Sequence, residues 1–138
     1  MTAEPTAIPA TSPSPWRLAG LVLVFIWFFL GGIGHFALTG VFTSVTPAWV
    51  PMPREVVLAT GVCEIFGALA LLHPKLRRPA GLALILLAIC VTPVHIDMLT
   101  EADPEFSAGR ALLWVRLIIQ PVLIWIIWVV TQPQAVRN

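Results

Sequence analysis

The chain has 138 residues, 58% of them hydrophobic and only 11% charged, with a formal net charge of +1. Soluble domains carry roughly a quarter of their residues as charges, so this composition points to a single integral membrane domain. No cluster of Lys and Arg interleaves with aromatics, which excludes the electrostatic footprint of a nucleic-acid binder.

Residues 1–15 place Pro5, Pro9, Pro13 and Pro15 among Thr, Ser and Ala. Such a segment buries too little apolar surface to fold, and a disordered tail is expected. No basic residue precedes Arg17, and the apolar run beyond it is long. The first span therefore reads as retained rather than as a cleaved signal peptide.

Four runs then approach the roughly 20 residues needed to cross a hydrocarbon core of about 30 Å. They extend from Trp16 to Leu38, Arg54 to Leu72, Pro79 to Leu99 and Arg110 to Thr131. The predicted fold is all-α, an integral membrane four-helix bundle over residues 16–132, followed by a short tail at 133–138. Arg17, Lys75, Arg77, Arg78 and Arg137 fall on one side of the spans. Arg54 and Arg110 fall on the other, beside Glu55, Glu101, Asp103 and Glu105. The positive-inside rule then puts both termini in the cytoplasm, with a bacterial plasma membrane as the expected location. Between the first two spans, residues 40–53 combine Pro47, Pro51 and Pro53 with Phe42, Val45, Trp49 and Val50. This segment is predicted to form a cap at the outer membrane interface, anchored by Trp49.

Against this apolar background stand His35, Glu64, His95, Asp97, Arg116 and Gln120, all within or at the ends of spans. A charge at a helix centre costs about 2.5–3.5 kcal/mol on insertion scales, so such residues face one another or a cavity and mark function by default. A rise of about 1.5 Å per residue puts Glu64 and Gln120 each about 15 Å below the outer basic residue of their spans, near the midplane. Arg116 then lies about 9 Å from the outer end, with His35 and His95 about 25 Å or more from the cytoplasmic end. The group converges on the outer half.

Helical facing sharpens that convergence, because residues three and four apart share a face. Gly31 and Gly32 lie on the face of His35, and Thr60, Gly61, Gly67 and Ala68 surround Glu64; small residues let membrane helices approach closely. Arg116 and Gln120 are an i, i+4 pair, so one face delivers a cation and an amide, and Arg116 is the expected ion-pair partner of Glu64. His95 and Asp97 are two apart and cannot share a face, which favours His95 for the cluster. Pro93 and Pro121 lack the amides that would bond the carbonyls of Ile89 and Leu117 and are expected to kink their spans. Carbonyls so released must be met by protein, water or a ligand, giving a small polar cavity.

Several roles remain open at this level. Glu64 with Arg116 is either a structural ion pair or part of a ligand or proton site. His35 and His95 could join Glu64 or Asp97 as metal ligands, although the spacing is no metal motif and packing or ligand hydrogen bonding is favoured. Cys63 and Cys90 lie near the midplane without Cys-x-x-Cys spacing, as small apolar residues or, less favoured, as a redox pair. His73 reads as interfacial, and Trp114, Trp125 and Trp128 as lipid-facing or interfacial.

The run Gly32 to Phe36 (Gly-x-x-His-Phe), Thr60 to Gly67 (Thr-Gly-x-x-Glu-x-x-Gly), Pro93, and Arg116 to Gln120 (Arg-x-x-x-Gln) resembles the DoxX-like family of small four-helix membrane proteins. The resemblance spans about Arg17 to Val130; Val94-His95-Ile96-Asp97 after the proline departs from the polar residues of many relatives. That group includes the DoxD-type subunit of thiosulfate:quinone oxidoreductase and the membrane partner for methylamine dehydrogenase maturation. The resemblance implies redox-associated work and no agreed catalytic residues.

Two expectations follow, with a weaker third. In one, an outer-half cavity binds a quinone-like ligand, with Arg116, Gln120 and a histidine holding its carbonyls and Glu64 or His35 relaying protons. In the other, the chain is an accessory subunit for a membrane or extracytoplasmic redox protein and the polar cluster is architectural. The sequence carries no haem-binding helix pair, flavin fingerprint or phosphate loop, which favours an accessory over a self-sufficient enzyme. A small transporter would have to work as a homo-oligomer, since four spans without evident inverted repeats leave alternating access unsupported.

Overall fold

The computed structural model describes residues 14–101 and 108–133. The Pro-rich tail up to residue 13, Asp103, Glu105 and the tail from residue 134, including Arg137, lie outside the described residues. Five helices occur in order: α1 (Pro15–Ala37), α2 (Thr39–Ser44), α3 (Pro53–Leu72), α4 (Arg77–Glu101) and α5 (Ala108–Thr131). The four long ones are each long and apolar enough to cross a membrane. Their ends fall within two residues of the expected spans. Helix α1 starts at Pro15, inside the segment expected to be disordered, because proline is preorganised for a first helical turn and has no amide proton to leave unpaired there.

Consecutive long helices pack in a ring, α1 on α3, α3 on α4, α4 on α5 and α5 back on α1. Glycines set the closest approaches. A Cβ on Gly32 would lie 2.9 Å from the Gly61 carbonyl oxygen, and one on Gly61 would lie 2.7 Å from the His35 Cβ. The α1 and α3 backbones therefore meet where the sequence placed small residues. Gly20 does the same for α1 against Val130 of α5, and Gly67 for α3 against Leu84 of α4.

The bundle has two unlike halves. Near the Arg17 and Lys75 end, Val24, Phe28, Ala68, Leu71, Leu84, Leu123 and Ile127 interlock as a dry core. Cationic side chains close that end. The Arg17 guanidinium donates to the carbonyls of Val129, Val130 and Gln132 at the α5 terminus, and Arg77 Nε donates to the Leu71 carbonyl at 3.1 Å. Both supply protons to carbonyls that a helix end leaves unpaired, where the helix dipole also favours a cation.

At the opposite end the chain leaves α1 at Leu38 and turns into α2, a helix within the predicted cap. Thr39 Oγ1 donates to the His35 and Phe36 carbonyls at 2.7 and 2.9 Å, satisfying the last turn of α1. Met52, in the left-handed region at φ 47°, redirects the chain into Pro53 at the start of α3. Helices α4 and α5 run on through Pro93 and Pro121.

Cys63 and Cys90 are free and exposed on the outer face of the bundle, not buried. One residue past Cys63 comes buried Glu64, and two residues before Cys90 comes buried Ala88. Steps of about 100° per residue therefore turn both thiols outward. Trp114, Trp125, Trp128 and Trp49 are exposed, as expected of lipid-facing and interfacial side chains.

Candidate functional site

The half of the bundle beneath the cap encloses a cavity of about 480 Å³. This is within the size range of small-molecule sites, which are largely apolar with a few convergent polar groups. Its walls are mostly Leu, Val, Met and aromatic side chains from all five helices and the cap; His35, Glu64, His95 and Arg116 are the titratable residues lining it.

His35 and Glu64 face each other across the α1–α3 glycine contact, with His35 Nε2 3.8 Å from Glu64 Oε1. That separation suits an ion pair but exceeds a direct hydrogen bond. Phe42 of α2 stacks on the imidazole, ring centroids 4.8 Å apart, so the cap is the lid of this pair. His35 Nδ1 is buried and meets no hydrogen-bond partner among the described residues. Gly31 makes room for the carboxylate, since a Cβ there would lie 2.7 Å from Glu64 Oε2.

His95 projects from α4, and its Nδ1 lies 2.9 Å from the Val91 carbonyl oxygen one turn earlier. A carbonyl only accepts, so Nδ1 carries the proton and Nε2 of the neutral ring is the acceptor. Asp97 does not line the cavity, in keeping with its place on another face of α4.

Arg116 and Gln120 correct two expectations. The direct Glu64–Arg116 ion pair does not form; among the described residues the ion-pair contact of Glu64 is with His35. Arg116 Nη1 instead donates to Gln120 Oε1 at 2.5 Å, and its guanidinium lies 5.7 Å from the centroid of the Trp27 ring. An amide one turn away and an aromatic face within cation–π range hold the cation, so its attraction to Glu64 acts across the cavity.

Gln120 does not line the cavity. It is buried, and its Nε2 donates to the Ala88 carbonyl at 2.5 Å and to Thr92 Oγ1 at 2.6 Å. Both Nε2 donors tie α5 to α4 and Oε1 accepts from Arg116, so in this structure Gln120 positions Arg116 from outside the cavity.

Sequence reasoning missed Trp27, Thr92 and Phe42. Trp27 was legible in principle, lying four residues before Gly31 on the inward face of α1. Thr92 lies four residues after buried Ala88 and donates to its carbonyl at 2.9 Å. Phe42 was legible as a residue of the cap but not as the ring that stacks on His35, because α2 itself was not foreseen. No three His, Cys, Asp or Glu side chains among the described residues gather closely enough to hold a metal ion.

The model of a protein family described as Domain of unknown function (DUF8561) matches residues 23–131, nearly the whole bundle. No curated protein and no solved structure matches the chain.

Proposed function

The chain belongs to the DUF8561 family, and from that premise we propose that it is an integral membrane protein whose cavity binds a small, quinone-like carbonyl compound, in the role of an accessory subunit to redox chemistry. The carrying observation is the cavity itself. About 480 Å³ of largely apolar space receives a carboxyl, two imidazoles and a guanidinium from four different helices. Arg116 offers hydrogen bonds to a carbonyl oxygen, His95 Nε2 accepts from a hydroxyl, and the Glu64–His35 pair lies where it could exchange protons with a bound head group. The unpartnered Nδ1 of His35 supports a site that a ligand completes.

The resemblance to DoxX-like proteins supplies the redox theme, and the excess of Arg and Lys at the Arg17 and Lys75 end supports cytoplasmic termini. On this reading the cavity opens toward the outer leaflet of a bacterial plasma membrane. On the same reading the apolar core would occupy the cytoplasmic half, which suits a dead-ended binding pocket better than a transport route.

The test is equilibrium binding of a decyl-substituted benzoquinone to the protein in nanodiscs, blanked against protein-free discs. The parent is expected to bind saturably, and E64Q to keep its thermal stability while losing binding. If the parent binds nothing, and mild-detergent pull-down instead returns a stoichiometric protein partner, the purely architectural reading stands. An unaltered E64Q would remove the proton-relay role.

A further inference from the structure

Among the described residues, the seam between α1 and α5 is packed at one end and carries exposed apolar side chains at the other. Toward the Arg17 end, Gly20 admits Val130, which is only 3% exposed. Positions Leu112, Arg116, Leu123 and Val130 follow steps of four or seven residues and share one stripe of α5. At the cap end of that stripe Leu112 is 69% exposed. On α1, Leu30 lies three residues beyond Trp27, on the flank that carries Gly20 and Trp27 toward α5. Leu30 both lines the cavity and is 60% exposed. Leu30 thus joins the cavity wall to the outer face of the bundle, on a helix long and apolar enough to cross a membrane.

We propose that the exposed end of this seam is a lateral portal, and that the occupant of the cavity is a membrane amphiphile. Its carbonyl-bearing head lies among Arg116, His95 and Glu64, and its apolar chain leaves between Leu30 and Leu112 into the bilayer. The inference rests on the ligand-binding reading above and adds the source and orientation of the ligand. The chemistry on the two sides of the portal matches such a molecule. Arg116, held over Trp27 beside the portal, has among the described residues no carboxylate in ion-pair contact and presents a donor to the head. Leu30 and Leu112 present only hydrocarbon to the chain. A second, less open approach exists beneath the cap, where Val45 and Val56 line the cavity at 42% and 41% exposure. A water-soluble ligand would use that approach and leave the α1–α5 seam empty.

The experiment compares a benzoquinone bearing a decyl chain with the same head group lacking it, in nanodiscs with protein-free discs as the blank. Parent protein, L30W and V56W are titrated with each, and thermal denaturation confirms that the variants fold. Leu30 and Val56 are both exposed, so neither substitution overfills a packed core. The expected result is that L30W weakens binding of the decyl compound by roughly tenfold, the scale on which overfilling a site acts, and leaves the tail-less compound unchanged. V56W, on the cap side of the cavity wall, should act on both compounds to the same degree. If V56W weakens the decyl compound and L30W does not, or if L30W affects both compounds equally, the portal is overturned while the binding site stands. If neither compound binds the parent, the binding-site reading and the portal fall together.

Discussion

Adjacent glycines on α1 give the sharpest separation of packing from site chemistry. A Cβ on Gly32 would sit 2.9 Å from the Gly61 carbonyl oxygen and 3.1 Å from the Ile65 amide nitrogen. Both are backbone atoms of α3 that cannot move without displacing the helix. A Cβ on Gly31 would meet only the Glu64 carboxylate, 2.7 Å from Oε2, and that side chain can rotate away. Overpacking costs about 1–3 kcal/mol, while replacing an interior helical glycine by alanine recovers about 1 kcal/mol of helix propensity. G32A should therefore be destabilised by up to roughly 2 kcal/mol, whereas G31A should be neutral or stabilised by up to about 1 kcal/mol. Function should run the other way, because G31A pushes Glu64 from its position opposite His35 and should weaken decyl-benzoquinone binding in a folded protein. Thermal denaturation in one detergent, paired with the nanodisc binding assay, reads both quantities. Equal destabilisation of the two variants, or undiminished ligand binding by G31A, would refute the assignment of Gly31 to the site and Gly32 to the helix contact.

Q120L removes two donated hydrogen bonds to α4 and the acceptor for Arg116. With hydrogen bonds between membrane helices averaging about 0.6 kcal/mol, the expected loss is on the order of 1–2 kcal/mol; T92V should lose less, and denaturation of the two variants checks the order. W27L takes the aromatic face from Arg116 while leaving the Gln120 contact, so ligand affinity should fall with a smaller change in stability, and binding titrations would expose the contrary. A lipid-soluble maleimide should label Cys63 and Cys90 in the folded protein, since both are exposed on the bundle's outer face; mass spectrometry showing labelling only after denaturation would contradict that facing. Cysteines introduced as K75C and W49C in a C63A/C90A background should react with an impermeant reagent from opposite sides of sealed vesicles, with Lys75 on the cytoplasmic side.

The four long helices were legible because each is a membrane-length apolar run bounded by Arg, Pro or Thr, a signal independent of tertiary partners. The meeting of His35 and Glu64 was legible too, since Gly31, Gly32 and Gly61 mark the faces that can touch. What Arg116 would choose was not. A long side chain with the Gln120 amide one turn away, a carboxyl across the cavity and an aromatic ring on α1 has three competing partners, and periodicity does not rank them. The six-residue α2 was hidden among Pro, Gly and Thr residues, where short-range propensity is weak and the helix is held by Thr39, Thr46 and packing on α3. Midplane depth alone could not orient Cys63 and Cys90; the buried neighbours on the same helices do that.

The two polar clusters of the bundle differ in how completely they are satisfied, and that difference separates scaffold from site. Buried polar groups that serve only to fix helix register should have their hydrogen bonds made within the protein, because each unmade bond costs stability in a low dielectric. Gln120 meets that standard, with both donors and its acceptor engaged between α4 and α5. His35 does not: one ring nitrogen has no partner among the described residues and the other stands 3.8 Å from Glu64. His35, with its unpartnered Nδ1, lines the cavity, while the satisfied amide lies outside it. A purely architectural network would have no reason to leave its open valences on the cavity side. The proposed binding site accounts for that pattern, because a ligand would supply the missing hydrogen bond.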